Sequence, residues 1–318
     1  MFKKVLIPLD GSERSEQAII PAARIARAHG AGVLLLQIVQ MPVVYGPYGA
    51  GVPGALDESI ENERNLAREY MAKLAQSTPL QGLHVETLAP IGLPAPSIID
   101  AASSQHADLI VIASHGRTGM GRWLLGSVAQ QVARNAASPV LIIRTNGKTR
   151  GATSPVDHVT RALVGLDGSS RAEQALEPAV DVLMGLAAPG KGALHLTQVI
   201  SWLPDSPLGN RKELAIETSR DYLTAVAQRV SSEREKDLAS HATWSVVVDH
   251  DPAASLIRTA EAGESAEGAG PAEACDLIVV ATHGYSGLMR WAMGSVAERV
   301  LSHTTLPILI VRVRDGAE

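Results

Sequence analysis

The 318-residue chain contains one cysteine and one phenylalanine, and aromatic residues make up 3% of it. A single thiol cannot close an internal disulfide, so nothing in the chain asks for an oxidising compartment. Cys275 stands at the head of the apolar run CDLIVVA and reads as a small core residue rather than a reactive thiol. So few rings exclude the stacking platforms that hold single-stranded nucleic acid. Positive charge is not in excess either. Lys and Arg number 28 against 33 Asp and Glu, a formal net charge of −5, which leaves no field to gather nucleic acid or an anionic membrane. Long apolar runs are missing as well. The opening MFKKVLIPLDGSE has the short run VLIPL before Asp10, too little for a signal peptide or a membrane span. The expectation is a cytoplasmic protein with neither nucleic acid nor membrane as partner.

What the chain does have is repetition. KVLIPLDGSERSEQAIIPA at 4–22 returns as RALVGLDGSSRAEQALEPA at 161–179, and VLLLQIV at 33–39 as LHLTQVI at 194–200. PAPSII at 94–99 returns as PAASLI at 252–257; ADLIVIASHGRTGMGRWLLGS at 107–127 returns as CDLIVVATHGYSGLMRWAMGS at 275–295. The spacing between copies jumps within 258–275, where the second copy holds AGESAEGAGPAEA, a composition that reads as a surface loop insertion. A unit of this length is a duplicated domain, not a solenoid repeat. With 46% apolar and 19% charged residues, the chain has material for two cores.

Inside each copy the pattern alternates. In the first, strands are expected at 4–9, 33–39, 84–89, 108–113 and 140–144, and helices at about 13–29, 57–77, 95–104 and 127–137. The strands are short apolar runs without polar alternation, as suits strands buried on both faces of a parallel sheet. The alternation predicts an α/β architecture of two tandem doubly wound domains. Domain boundaries fall at 1–146 and 159–318, with the polar, Gly/Pro-containing stretch 147–158 as linker. Residues 41–56 form a long Gly/Pro-rich loop, a kind that is usually functional or mobile.

Two motifs could carry chemistry. The first is the run LIVIASHG, a buried strand leading into a glycine loop. Gly116 is followed by Gly126-Ser127, and Gly284 by Gly294-Ser295. Ser127 and Gln130, like Ser295 and Glu298, have the spacing of a capping box. A helix start offers unpaired N–H groups and the positive end of a dipole, which suit a phosphate. The competing account is a well-capped helix after a tight turn, with no ligand. The second motif is the end of the first strand, Pro8-Leu9-Asp10-Gly11-Ser12 and Gly165-Leu166-Asp167-Gly168-Ser169. Ligands of doubly wound sheets bind past such strand ends, where an acid can accept from an exocyclic amine or a ribose hydroxyl. Equally, Asp-Gly-Ser can simply turn the chain and cap the next helix. Arg117, Arg122 and Arg290 could neutralise phosphates; Tyr285 stands where the first copy has Arg117.

Other patterns carry less. Asn146-Gly147-Lys148-Thr149 lacks the earlier glycine of a P-loop, since position 142 is Ile142 inside a strand. Gly49 to Gly54 spells G-x-G-x-x-G but does not join a strand to a helix, and Pro53 interrupts it. The 10 histidines have no metal-ligand spacing, and no catalytic set can be placed.

The first-strand sequence VLIPLDGS together with ADLIVIASHGRTG, LLGSVAQQV and SPVLIIR resembles the universal stress protein family, twice and over almost the whole chain. The resemblance implies two five-stranded parallel sheets of strand order 3-2-1-4-5 with helices on both faces. It also implies the glycine loop of the ATP-binding subgroup, which holds ATP, with Mg where a metal accompanies it, or a related adenine nucleotide. Carried over by position, the binding residues are Pro8, Leu9, Asp10, Ile38, Ala113, Gly116, Arg117, Gly126, Ser127 and Val128 in the first copy. In the second they are Leu166, Asp167, Val199, Ala281, Gly284, Gly294, Ser295 and Val296. The chain departs from the subgroup where Ala113 and Ala281 replace the first glycine, and where His250 replaces Gly92 and Gly165 replaces Pro8. The last strands, 140–144 and 308–312, are expected at a domain interface, through a homodimer or a pseudo-dimer within the chain. The expected function is a nucleotide-responsive stress regulator with protein partners still to be named. The alternatives are a ligand-free, chaperone-like interaction module and a slow ATPase.

Overall fold

The computed structural model describes residues 1–40, 55–115, 125–144, 159–201, 209–263, 268–269, 273–282 and 293–313. The first half runs β1 (Lys4–Leu9), α1 (Glu13–Glu16), α2 (Ile19–His29), β2 (Gly32–Gln37), α3 (Ala55–Ala75), a 3-10 turn (Thr78–Leu80), β3 (Val85–Leu88), α4 (Pro94–Ser104), β4 (Leu109–Ala113), α5 (Ser127–Asn135) and β5 (Val140–Ile143). The second half repeats it as β6 (Arg161–Leu166), α6 (Ser170–Glu173), α7 (Leu176–Ala187), β7 (Ala193–Ile200), α8 (Gly209–Glu233), β8 (Thr243–Val248), α9 (Pro252–Ala262), β9 (Gly268–Ala269), β10 (Leu277–Ala281), α10 (Ser295–His303) and β11 (Ile308–Val311). The linker 147–158 and most of the loop 41–56 lie outside the described residues.

The apolar runs become the central strands. Every residue of β4, β5 and β11 is buried, as expected for strands covered on both faces. Both halves show the order 3-2-1-4-5, with parallel pairing throughout. They are nevertheless not two separate sheets. β5 and β11 pair antiparallel, with Leu141 opposite Leu309, so one sheet runs β3-β2-β1-β4-β5-β11-β10-β6-β7-β8-β9. The join consumes two apolar strand edges that would otherwise stay open. The inserted segment of the second copy is not wholly loop: Gly268–Ala269 adds a short antiparallel strand beyond β8.

The expected helix at 13–29 is broken. α1 ends at Glu16 and α2 restarts at Ile19. Pro21 has no N–H to give to the Gln17 carbonyl four residues back, and its ring crowds that carbonyl. Pro178 repeats the break between α6 and α7.

The two halves meet beyond the strand pair. α2 packs on α7 closely enough that a Cβ at Gly185 would stand 2.4 Å from Ile25 Cα. His29 Nε2–H donates to the Asp181 carbonyl at 2.7 Å, and Arg24 reaches the Ala188 carbonyl at 3.0 Å. On the other face Glu298 of α10 accepts from Arg134 Nε at 3.0 Å and Gln130 Nε2 at 3.1 Å, both on α5. Arg144, just past β5, is buried and donates to the carbonyls of Leu301 and Leu306. Burial pushes its guanidinium down to about 10. Arg312, just past β11, makes the reciprocal contact with the Arg134 carbonyl at 3.2 Å.

Candidate functional site

In the first half the carboxyl ends of β1, β2 and β4, the start of α5 and one side of α3 enclose a cavity of about 890 Å³. Strand order brings these ends together: β1 lies between β2 and β4, and the chain leaves β1 and β2 for helices on one face of the sheet and β4 for α5 on the other, which opens a crevice at their carboxyl ends. Pro8, Leu9, Asp10, Ile38, Ala113, Gly126, Ser127 and Val128 all line it. Gly116 and Arg117 lie outside the described residues, as do Arg122, His283, Gly284, Tyr285 and Arg290.

The turn after β1 is built by its own side chains. Gly11 takes φ +80, a backbone that only glycine adopts freely. Asp10 Oδ1 accepts from the Ser12 N–H at 3.0 Å and from Ser12 Oγ at 2.6 Å. Ser12 Oγ in turn caps α1 by accepting from the Ser15 N–H at 3.2 Å. Of the two accounts open for Asp-Gly-Ser, the turn-and-cap role is therefore realised, and one carboxylate oxygen of Asp10 is committed to it. Asp167 does the same, accepting from Ser169 N–H at 3.1 Å and Oγ at 2.6 Å, with Gly168 at φ +87.

At the other side of the cavity the glycine loop is closed by its own backbone. The Gly126 N–H donates to the Ser114 carbonyl at 2.8 Å, and a Cβ at Gly126 would stand 2.9 Å from that oxygen. Gly294 closes on Thr282 in the same way, at 2.7 Å. The capping boxes expected at Ser127 and Ser295 do not form. Gly126 and Gly294 are the N-caps, the serines are the first helical residues, and no side chain caps either helix. Glu298 and Gln130, which would complete the boxes, are drawn into the contact between the halves. The first intrahelical bond of α5 is from Gln130 N–H to the Gly126 carbonyl. The N–H groups of Ser127, Val128 and Ala129 thus have no acceptor among the described residues and face the end of a helix dipole. Ser295, Val296 and Ala297 stand alike at the start of α10, where Glu298 bonds back to Gly294.

Ser114 Oγ lies 3.1 Å from His115 Nδ1. Burial first, then the nearby cations Arg144 and Arg14, hold the His115 ring below its ordinary pKa, so it is neutral at pH 7. Among the described residues no group of three or more His, Cys, Asp or Glu could hold a metal, and no helix is long and apolar enough to cross a membrane.

Several lining residues escape a motif reading. Glu63, Leu66, Ala67 and Tyr70 come from α3, and Gln37 from the end of β2. The Tyr70 hydroxyl donates to Glu16 Oε1 at 2.9 Å, and burial followed by that carboxylate raises its pKa. On helical spacing Tyr70 is an ordinary core position, so its role at the cavity has no signature in the sequence. Gln37 does leave a trace: it is the polar residue kept in both VLLLQIV and LHLTQVI, where it is Gln198.

The second half carries Leu166, Asp167, Val199, Ala281, Gly294, Ser295 and Val296 on the equivalent ends of β6, β7 and β10 and the start of α10. Its rim differs. Asp249, past β8, accepts from Ser255 Oγ at 2.7 Å and from the Asp251 N–H at 3.1 Å, and lies 2.9 Å from His250 Nδ1. The Ser255 hydroxyl, the Asp251 N–H and then Arg258 hold its carboxyl well below the usual carboxylate range.

The profile of the universal stress protein family matches residues 1–144 and again 158–312. The chain belongs to the universal stress protein family. A universal stress protein of Mycolicibacterium smegmatis is 30% identical over 317 residues, covering 98% of this chain and 97% of its own. One from Methanocaldococcus jannaschii is 35% identical over 144 residues, 45% of this chain and 83% of its own. A universal stress protein crystal structure from Archaeoglobus fulgidus superposes with a TM-score of 0.63 at 20% identity, over 97% of this chain and 98% of that one, and so shares its fold. This universal stress protein is a tandem one.

Proposed function

We propose that the protein binds ATP or a related adenine nucleotide in the cavity of the first half, with a second, weaker site in the other half, and acts as a nucleotide-responsive regulator. The domains are 1–146 and 159–318, joined by 147–158. One observation carries the reading: the N–H groups of Ser127, Val128 and Ala129, without acceptors among the described residues, stand at the wall of a cavity of about 890 Å³. Donors of this kind at a helix start fit a phosphate chain. Pro8, Leu9 and Ile38 supply apolar wall for a base. Gly165 in place of Pro8 and Tyr285 in place of Arg117 make the second site the weaker one for a polyphosphate.

The bond from Gly126 N–H to the Ser114 carbonyl favours a second reading, in which the glycine is structural and the fold is a ligand-free interaction module. Calorimetric titration of the full chain with ATP separates the two. Saturable binding is expected; no heat of binding up to millimolar ATP would leave the interaction module standing.

A further inference from the structure

We propose that Gln37 reads the base of the bound nucleotide, and that Gln198 does so in the second half. The inference rests on the nucleotide reading of the site. Gln37 closes β2 beside Leu9 and lines the cavity. Its side chain is partly exposed, yet its Oε1 is buried and has no hydrogen-bond partner among the described residues. A buried acceptor without a donor destabilises the empty protein and asks for an explanation. Nearby groups are already committed: Tyr70 O–H to Glu16, Asp10 Oδ1 to Ser12, and the Asp10 N–H to Ser15 Oγ at 3.3 Å.

The same vacancy recurs after duplication. Gln198 holds the equivalent register position beside Leu166, and its Oε1 is likewise buried and without a partner among the described residues. Its surroundings have changed meanwhile, with Gly165 for Pro8 and Thr197 for Leu36. In this half Tyr222 stands beside Glu173, whose carboxylate Arg229 also holds. A packing residue would not be expected to retain the same unmet acceptor through those changes.

Position selects the base as the part that is read. The phosphate donors sit at the start of α5, which follows β4, whereas β2 lies on the far side of β1. A nucleotide with its phosphates on α5 therefore sends its base toward β2. The terminal torsion of a glutamine is broad, so its amide can turn to bring the covered oxygen to the cavity wall. A carboxamide sets an acceptor beside a donor, the complement of the adenine 6-amino group and its neighbouring ring nitrogen.

The test is a calorimetric comparison, on the full chain, of ATP with purine riboside triphosphate, which lacks the 6-amino group. Wild-type protein is expected to prefer ATP by about 10-fold, the scale of one good hydrogen bond. With Gln37→Leu and Gln198→Leu combined, the preference is expected to vanish while inorganic triphosphate binds as before. The same variant should melt higher than wild type without ligand, since its orphan oxygens are gone; that also certifies its fold. Gln37→Glu with Gln198→Glu keeps the acceptors and should keep the preference. A preference that survives the leucine variant, an equal loss of both nucleotides, or a wild type indifferent to the amine overturns the inference while leaving nucleotide binding intact. A wild type that binds neither nucleotide removes both.

Discussion

The two halves share strand order and turn geometry, but the sheet face beneath their last helices is built from opposite chemistry. In the first half Leu34 and Leu36 are buried on the face that carries α4 and α5. At the same register positions the second half has His195 and Thr197, beside Thr243 and Ser245 where the first has Glu86 and Leu88. The polar set is closed upon itself. His195 Nδ1 lies 2.8 Å from Thr243 Oγ1, His195 Nε2 3.0 Å from Ser245 Oγ, and Ser245 3.1 Å from Thr197 Oγ1. One fold thus accepts either a leucine layer or a hydrogen-bonded polar layer, provided every buried polar atom of the latter is met. The price is sensitivity to pH, which a leucine layer does not have.

That sensitivity is the largest effect expected. Burial first, then Arg161, pushes the His195 ring from 6.5 down to about 4. The folded pKa is below the unfolded one, so across this window the unfolded chain holds the extra proton. Stability therefore falls as pH drops through 6.5 and levels off for this group below about 4, a loss of about 3 kcal/mol. Urea denaturation at a series of pH values should show this slope, and His195→Leu should flatten it. Leu34→His in the first half, where no hydroxyl pair waits, should lower stability at every pH. Equal slopes in wild type and His195→Leu would place the pH dependence elsewhere.

The second effect sharpens the asymmetry of the join. Arg144 and Arg312 occupy equivalent positions, but Arg144 is 9% exposed and serves the Leu301 and Leu306 carbonyls, whereas Arg312 meets the Arg134 carbonyl nearer the surface. Arg144→Ala strands the Leu301 and Leu306 carbonyls in a dry interface and should cost about 2 kcal/mol. Arg312→Ala leaves its carbonyl to water and should cost about 0.5 kcal/mol or less. Denaturant midpoints measure both. If the two substitutions cost the same, the join is more symmetric in solution than the geometry implies.

The duplication, the strand runs and the strand-end turns were legible because each rests on local residue chemistry that appears twice. What was not legible depends on partners far away in sequence. Ser127 and Gln130 have capping-box spacing, but Gln130 is claimed by Glu298 from the other half. The resemblance placed the last strands at a domain interface, but nothing local to VLII or ILIV says that they will hydrogen-bond to each other and merge two sheets into one. Pro21 did carry the helix break, against a periodicity that runs on through it. At the site, Asp10 and Gly126 were found through their turn signals and Gln37 left only its recurrence as Gln198, whereas Tyr70 sits in a pattern indistinguishable from core until the fold brings it to the cavity.

The smallest effect compares the two glycine closures themselves. A Cβ at Gly126 would come 2.9 Å from the Ser114 carbonyl oxygen, and one at Gly294 would come 3.0 Å from that of Thr282. Both obstacles are backbone atoms, so neither can be swung aside, and the helix start must move instead. The move displaces the N–H groups of Ser127, Val128 and Ala129, on which the phosphate reading depends. Gly126→Ala should therefore weaken ATP at the first site by about 10-fold, or about 1.4 kcal/mol. Gly294→Ala acts at slightly greater clearance and on the site proposed as the weaker one, so its effect on total binding should be about 3-fold or less. A two-site calorimetric isotherm for each single variant assigns the losses. If Gly126→Ala binds ATP as wild type does, the glycine serves loop closure alone and the donors of α5 are not where the phosphates lie.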